Sequence, residues 1–98
     1  MPKLYEYLGI IIFFYSNDHQ PVHVHGKYNG RESKAEIMMM NGKVTGIRIT
    51  HVGPGLESKK LKEFEEFVSE FADDIVRKWV DFFVYRKHIT PQIITHKI

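Results

Sequence analysis

The stretch Pro21-Val22-His23-Val24-His25-Gly26-Lys27-Tyr28-Asn29-Gly30-Arg31-Glu32-Ser33-Lys34-Ala35-Glu36-Ile37 decides the fold. Asn29-Gly30 is the residue pair that tolerates two successive positive φ angles, which a two-residue type I′ hairpin demands. Such a turn sets Tyr28 opposite Arg31 and fixes the rest of the register. Val22 then faces Ile37 and Val24 faces Ala35 on one surface. His23 faces Glu36, His25 faces Lys34 and Lys27 faces Glu32 on the other. Strand side chains alternate with a period of two, so one surface is apolar and the other carries charge and imidazole.

Working outward, Gly9 to Tyr15 is continuously apolar, β-branched and aromatic, and reads as a strand covered on both faces. Ser16 to Pro21 is rich in turn formers and reads as a loop. On the other side, Asn41-Gly42 marks a second turn. A two-residue loop there would place Ile47 and Ile49 beside Glu36 and Lys34. The reading is therefore a three-residue loop, Met40 to Gly42, with Gly42 as a left-handed bulge residue, which returns Thr45, Ile47 and Ile49 to the core side with Ala35, Ile37 and Met39.

Pro54-Gly55 ends the strand pattern. Ser58 is placed to cap a helix through about Phe71, with Leu61, Phe64, Val68 and Phe71 as its apolar stripe. Asp73 or Asp74 can cap a second helix, through roughly Arg86, with Ile75, Trp79, Phe82 and Phe83 inward. The tail from Gln92 to Ile98 is apolar at Ile93, Ile94 and Ile98 and could add a strand or grip a neighbouring chain. The expected fold is α+β: a four-stranded antiparallel meander (Gly9 to Tyr15, Val22 to Tyr28, Arg31 to Met39, Lys43 to Thr50) packed on one face by two C-terminal helices.

At 98 residues with 43% hydrophobic content, the chain fits one domain, β-rich over 1–52, helical over 56–87 and extended over 90–98. The absence of cysteine excludes disulfides, thiolate metal sites and a cysteine nucleophile, so any metal must be held by His, Asp, Glu or backbone oxygen. The balance of 14 basic and 12 acidic residues does not announce a nucleic-acid binder. No apolar run approaches the roughly 20 residues of a membrane span and no leader cleavage pattern follows the longest one, so the expected setting is cytoplasmic, without a membrane.

Leu8-Gly9-Ile10-Ile11-Ile12, the string Tyr15-Ser16-Asn17-Asp18-His19-Gln20-Pro21-Val22-His23-Val24-His25 and Trp79 together resemble the small bacterial proteins of domain-of-unknown-function family 4160. The resemblance covers nearly the whole chain. It departs at Val22, where a second proline is expected in many relatives. It implies no settled activity; it implies a component of a toxin-antitoxin-type gene pair, and singles out Asn17, Asp18, His19, Pro21, His23 and His25.

The residues themselves make the histidines the candidate site. His23 and His25 share one face of one strand, and His19 can fold over them from the loop. Imidazoles so spaced can hold a divalent transition metal such as zinc, with Asp18 or Glu36 completing the shell. Lys34, opposite His25, works against an ion. The same three histidines could instead divide the proton transfers of phosphodiester cleavage, with Arg31, Lys34 and Arg48 meeting the phosphate. They could also form a binding surface without chemistry, for a protein partner, a second copy of the chain or nucleic acid, with Asn17, Asp18, Arg31, Lys34, Glu36 and Arg48 contributing. The bland alternative is a solvated strand with a loop fixed by Asp18. The favoured expectation is an interaction or regulatory module using the His19/His23/His25 surface, with a ribonuclease or a nucleic-acid-binding regulator as alternatives and the question of catalysis open. The outward residues of the first strand are expected to leave an apolar strip beside His23 and His25, marking a groove or a subunit interface.

Overall fold

The computed structural model describes residues 2–98. Six strands and one helix follow in the order β1 (Lys3–Tyr7), β2 (Ile10–Phe13), β3 (His23–Tyr28), β4 (Arg31–Met40), β5 (Lys43–Val52), α1 (Ser58–Phe83) and β6 (Gln92–Ile94). They form one sheet in the order β5-β4-β3-β2-β1-β6, in which neighbours are antiparallel except β1 and β6, which run parallel. The α+β class stands, with a sheet of six strands instead of four and one helix instead of two.

The extra strands lie at one side of the sheet. Residues 5–7 alternate, with Tyr5 and Tyr7 buried beneath the helix and Glu6 facing out, while a bulge between Lys3 and Tyr5 lets Leu4 be buried as well. They join β2 through Leu8 and Gly9, both at positive φ (50° and 83°), a two-residue hairpin of the same kind as Asn29-Gly30 and Asn41-Gly42. The segment expected to begin at Gly9 is therefore the second arm of a hairpin. At the other end of the chain the apolar tail adds β6, with Ile94 beside Tyr7 and Gln92 beside Tyr5.

Between β3 and β4 every expected pair is present: Tyr28 with Arg31, Lys27 with Glu32, His25 with Lys34, Val24 with Ala35 and His23 with Glu36. The Ile37 amide donates to the Val22 carbonyl at 2.9 Å, extending that register. Between β4 and β5 the expected loop is corrected. Asn41-Gly42 is a two-residue turn pairing Met40 with Lys43 and Met39 with Val44, and the one-residue shift comes later, from a bulge that leaves Thr45 out. Ile47 and Ile49 still reach the core side, opposite Ile37 and Ala35, but Thr45 is exposed and Val44 packs against the core in its place.

The helix is continuous because its apolar spacing is continuous. Phe64, Phe67, Val68, Ala72, Ile75 and Trp79 recur at three- and four-residue intervals straight through Asp73-Asp74, so one stripe is buried from end to end. Neither aspartate starts a helix. Asp74 instead receives hydrogen bonds from the Tyr5 hydroxyl, Arg77 and Lys78. The N-cap is Glu57, one residue before the expected Ser58, and its side chain makes no capping bond. Among the described residues no helix is long and apolar enough to cross a membrane.

The core lies between α1 and one sheet face, from Tyr5, Tyr7, Ile10, Ile12 and Phe14 across Val24 to Ala35 and Ile37. The opposite face carries no helix. Its expected apolar strip is mostly closed: Phe13 is fully buried against Tyr15 and His25, and Ile11 is half-buried.

Candidate functional site

The uncovered sheet face contains one strongly buried polar cluster. His23 and His25, two residues apart on β3, are 8% and 6% exposed. The loop after β2 folds over them. Its turn is closed by the Asp18 amide donating to the Tyr15 carbonyl at 3.0 Å, while the Tyr15 amide donates to Asp18 Oδ2 at 2.8 Å. That reciprocal pair turns the Asp18 carboxylate inward, with Oδ1 3.3 Å from His23 Nε2 and Oδ2 3.3 Å from His25 Nε2.

Aromatic rings pack around the pair. Phe13 stacks on His25 with centroids 5.4 Å apart, and Tyr15 meets the same ring edge-on at 4.6 Å. His23 lies between His25, at 5.1 Å, and Trp79 of α1, at 5.2 Å. The cluster therefore sits where the outer sheet face meets the end of the helix, and the rings hold the imidazoles in place by packing.

Partners on the far side of each ring settle the protons. His23 Nδ1 lies 2.7 Å from the Pro21 carbonyl oxygen, which can only accept, so Nδ1 carries the hydrogen. His25 Nδ1 lies 3.1 Å from Glu32 Oε2, and the other oxygen of Glu32 accepts from the Tyr15 hydroxyl at 2.9 Å. In the neutral rings both Nε2 atoms are then bare and face Asp18. Burial pushes the His25 imidazole below the ordinary histidine range and outweighs the upward pull of Asp18, while neighbouring His23 adds to the lowering. His25 Nε2 is buried without any hydrogen-bond partner, because its 3.3 Å approach to Asp18 lacks hydrogen-bond geometry. Desolvation, and then the bond to Glu32, keeps the Tyr15 hydroxyl protonated and donating.

One ligand atom each from Asp18, His23 and His25 can be chosen so that all lie within 4.8 Å of one another. His19 does not join them. It is exposed, with Nδ1 3.2 Å from the Gln20 carbonyl. Asn17 is exposed in the same loop. Lys34 stands opposite His25 and Glu36 opposite His23, on the same face. Glu36 accepts from Arg48 at 2.9 Å, a bond that holds its carboxyl below the usual range. Arg31 belongs elsewhere: its Nε donates to the Gly55 carbonyl at 2.7 Å, and it lines a cavity with Tyr28, Leu56 and the first turn of α1. Glu32, Tyr15, Phe13 and Trp79 are site residues that the sequence reading did not assign. A signal existed for Glu32, which is two positions from Lys34 on the same face and so diagonal to His25.

Fold and site define a class: a small α+β domain with one helix on a six-stranded sheet and a buried His-His-Asp cluster, backed by Glu32, on the uncovered face. The family model described as "Domain of unknown function (DUF4160)" matches residues 9–80, more than half of the chain, and the chain belongs to that family. No curated protein and no solved structure matches it.

Proposed function

We propose that the chain is a regulatory interaction module of a small two-gene system of the toxin-antitoxin type, and that its companion protein binds the uncovered sheet face around Asp18, His23 and His25. The observation that carries this reading is the asymmetry of the sheet. One face is sealed by α1, while the other carries no helix and holds a buried cluster where it meets the end of α1. Around that cluster stand groups suited to recognition: Tyr15, 36% exposed; Lys27 and Lys34; and the Glu36–Arg48 ion pair, whose arginine is 62% exposed on its side chain. Aromatic and arginine side chains on a fixed base are what a protein interface uses as anchors.

Binding is favoured over phosphodiester cleavage because the imidazole nitrogens are closed off by Asp18, Tyr15 and Phe13. The five cavities beside Arg31, Arg86, Ile89, Ile47 and Ile93 are lined by other residues. A substrate phosphate would have to displace the loop to reach Nε2.

Co-expression with the protein encoded by the adjacent gene, followed by size exclusion and titration calorimetry of the purified pair, tests the reading. Lys34→Glu with Arg48→Glu should weaken the complex at least tenfold, while Lys62→Glu on the solvent side of α1 should leave it intact. A complex indifferent to the outer-face changes, or no complex at all, overturns it. RNA cleavage lost in His23→Ala would favour the ribonuclease alternative.

A further inference from the structure

We propose that Asp18, His23 and His25 form a binding site for one divalent transition-metal ion of the zinc class, enclosed beneath the loop that carries Asp18. The ion would be the ligand of the face assigned above, and its physiological role rests on that reading. Its binding can be measured on this chain alone.

The argument is one of lone pairs. In the neutral imidazoles the Pro21 carbonyl and the Glu32 carboxylate each take the Nδ1 hydrogen of one ring, which leaves the Nε2 atoms as the lone-pair donors. Both then lie 3.3 Å from an oxygen of the Asp18 carboxylate, which has no hydrogen to give. Three electron-rich atoms are thus turned on one another inside a site whose histidines are more than nine-tenths buried, and His25 Nε2 has no partner. Uncompensated, such a cluster costs free energy, since a buried polar atom left unpaired loses its hydration for nothing. A cation among the three atoms removes the conflict.

The dimensions suit a transition ion. Bonds of about 2.0–2.1 Å in a tetrahedron place ligand atoms roughly 3.3–3.4 Å apart. Each Nε2 lies 3.3 Å from an Asp18 oxygen, His23 from Oδ1 and His25 from Oδ2, and one ligand atom from each residue falls within 4.8 Å of the others, a spacing that a small movement of the carboxylate brings to that of a bound ion. Two imidazoles with one carboxylate are borderline donors that suit zinc, iron, cobalt or nickel better than calcium or magnesium, which prefer all-oxygen shells. The outer partners are also those of a metal centre. A ligating histidine commonly donates its other N–H to a carboxylate or a backbone carbonyl, which fixes ring and tautomer. Here Glu32 serves His25, itself braced by Tyr15, and the Pro21 carbonyl serves His23. Lys34, opposite His25 on the sheet, is a positive charge that opposes an ion.

The test is titration of the tag-free full chain, freed of metal by chelator, with zinc and separately with cobalt. Calorimetry should give one zinc per chain, and cobalt should give the visible bands of a low-symmetry four- or five-coordinate ion. His25→Ala and Asp18→Asn should abolish the cobalt spectrum, the second without loss of volume in the loop. Glu32→Gln, which leaves the ligands but changes the support of His25, should weaken zinc by about 10- to 100-fold. His19→Ala should bind as the parent does. No stoichiometric uptake by the folded parent, or equal uptake by the folded His23→Ala/His25→Ala double variant, overturns the site. Repeating the companion-protein titration with chelator and with zinc separates the two proposals: uptake without a complex removes the interaction reading alone, and a complex without uptake removes the metal alone.

Discussion

Gly26 lies against the ring of Phe64, so close that a β-carbon on Gly26 would stand 2.6 Å from both Cδ1 and Cε1 of that ring. The glycine is the point at which β3 passes under α1, and its missing side chain lets the helix settle on the sheet. Gly26→Ala is therefore an overpacking change that must move a fully buried aromatic ring, and it should destabilise the fold by about 1–3 kcal/mol. A urea series measures it. Adding Phe64→Leu should recover part of the loss, because the smaller side chain makes room; strict additivity of the two changes would show that the contact is not the cause.

Ser33 supports a different junction. Its fully buried hydroxyl accepts from the Leu56 amide at 3.0 Å and contacts His51 Nδ1 at 2.9 Å, tying the loop before α1 to the sheet. Ser33→Ala leaves a buried amide without an acceptor, which costs about 1–3 kcal/mol, whereas His51→Ala removes an exposed ring, keeps the Leu56 amide bonded to Ser33 and should cost less. Chemical denaturation ranks the two, and faster hydrogen exchange at the Leu56 amide in Ser33→Ala alone would locate the effect.

These contacts mark the limit of what the sequence makes legible. The β3–β4 register could be read in full because turn chemistry and face alternation point to the same pairing. β1 was hidden because its turn uses Leu8 at positive φ, which leucine rarely adopts, so Leu8-Gly9 does not announce a hairpin. The helix was divided because aspartate favours caps, while burial of Ala72, Ile75 and Trp79 against the sheet outweighs that local preference.

The site was legible in the same proportion. A period of two places His23 and His25 on one face wherever the strand lies. Which loop residue turns inward depends on a backbone turn, and the Tyr15–Asp18 bonds select Asp18 while His19 faces solvent. Burial of the pair under Phe13, Tyr15 and Trp79 is a tertiary fact that spacing could not supply.

The bulge in β5 makes a prediction that distinguishes it from the loop expected at Met40 to Gly42. Met39 pairs with Val44 and Met38 with Gly46, so Thr45 is the residue without a partner. Deleting Thr45 keeps every other pair and every inward side chain, at the expense of the Thr45 Oγ1 bond to the Met38 carbonyl. The deletion should change stability by no more than about 1 kcal/mol. Deleting Arg48 instead breaks the alternation between Ile47 and Ile49 and turns one of them outward, and that chain should be far less stable. Thermal melts of the two deletions decide the matter, and equal losses would argue against the bulge.

Asp74 gives the fold a pH dependence whose sign follows from its partners. Burial alone would raise its carboxyl, but the hydrogen bonds from Lys78 and Tyr5, with the charges of Lys78 and Arg77, outweigh burial and hold it below the ordinary aspartate value. The folded chain therefore binds the proton less readily than the unfolded chain does. Such a group contributes stability fully above its unfolded pKa, about 3.9, and the contribution is lost as pH falls through the lower folded value. At neutral pH, Asp74→Asn should cost about 1–2 kcal/mol, the range for charged hydrogen bonds reduced for partial exposure. The gap between parent and variant should stay constant down to about pH 5 and close towards pH 2. Urea unfolding of both proteins across that range measures it, and a gap that persists at pH 2 would mean that the Asp74 charge contributes nothing.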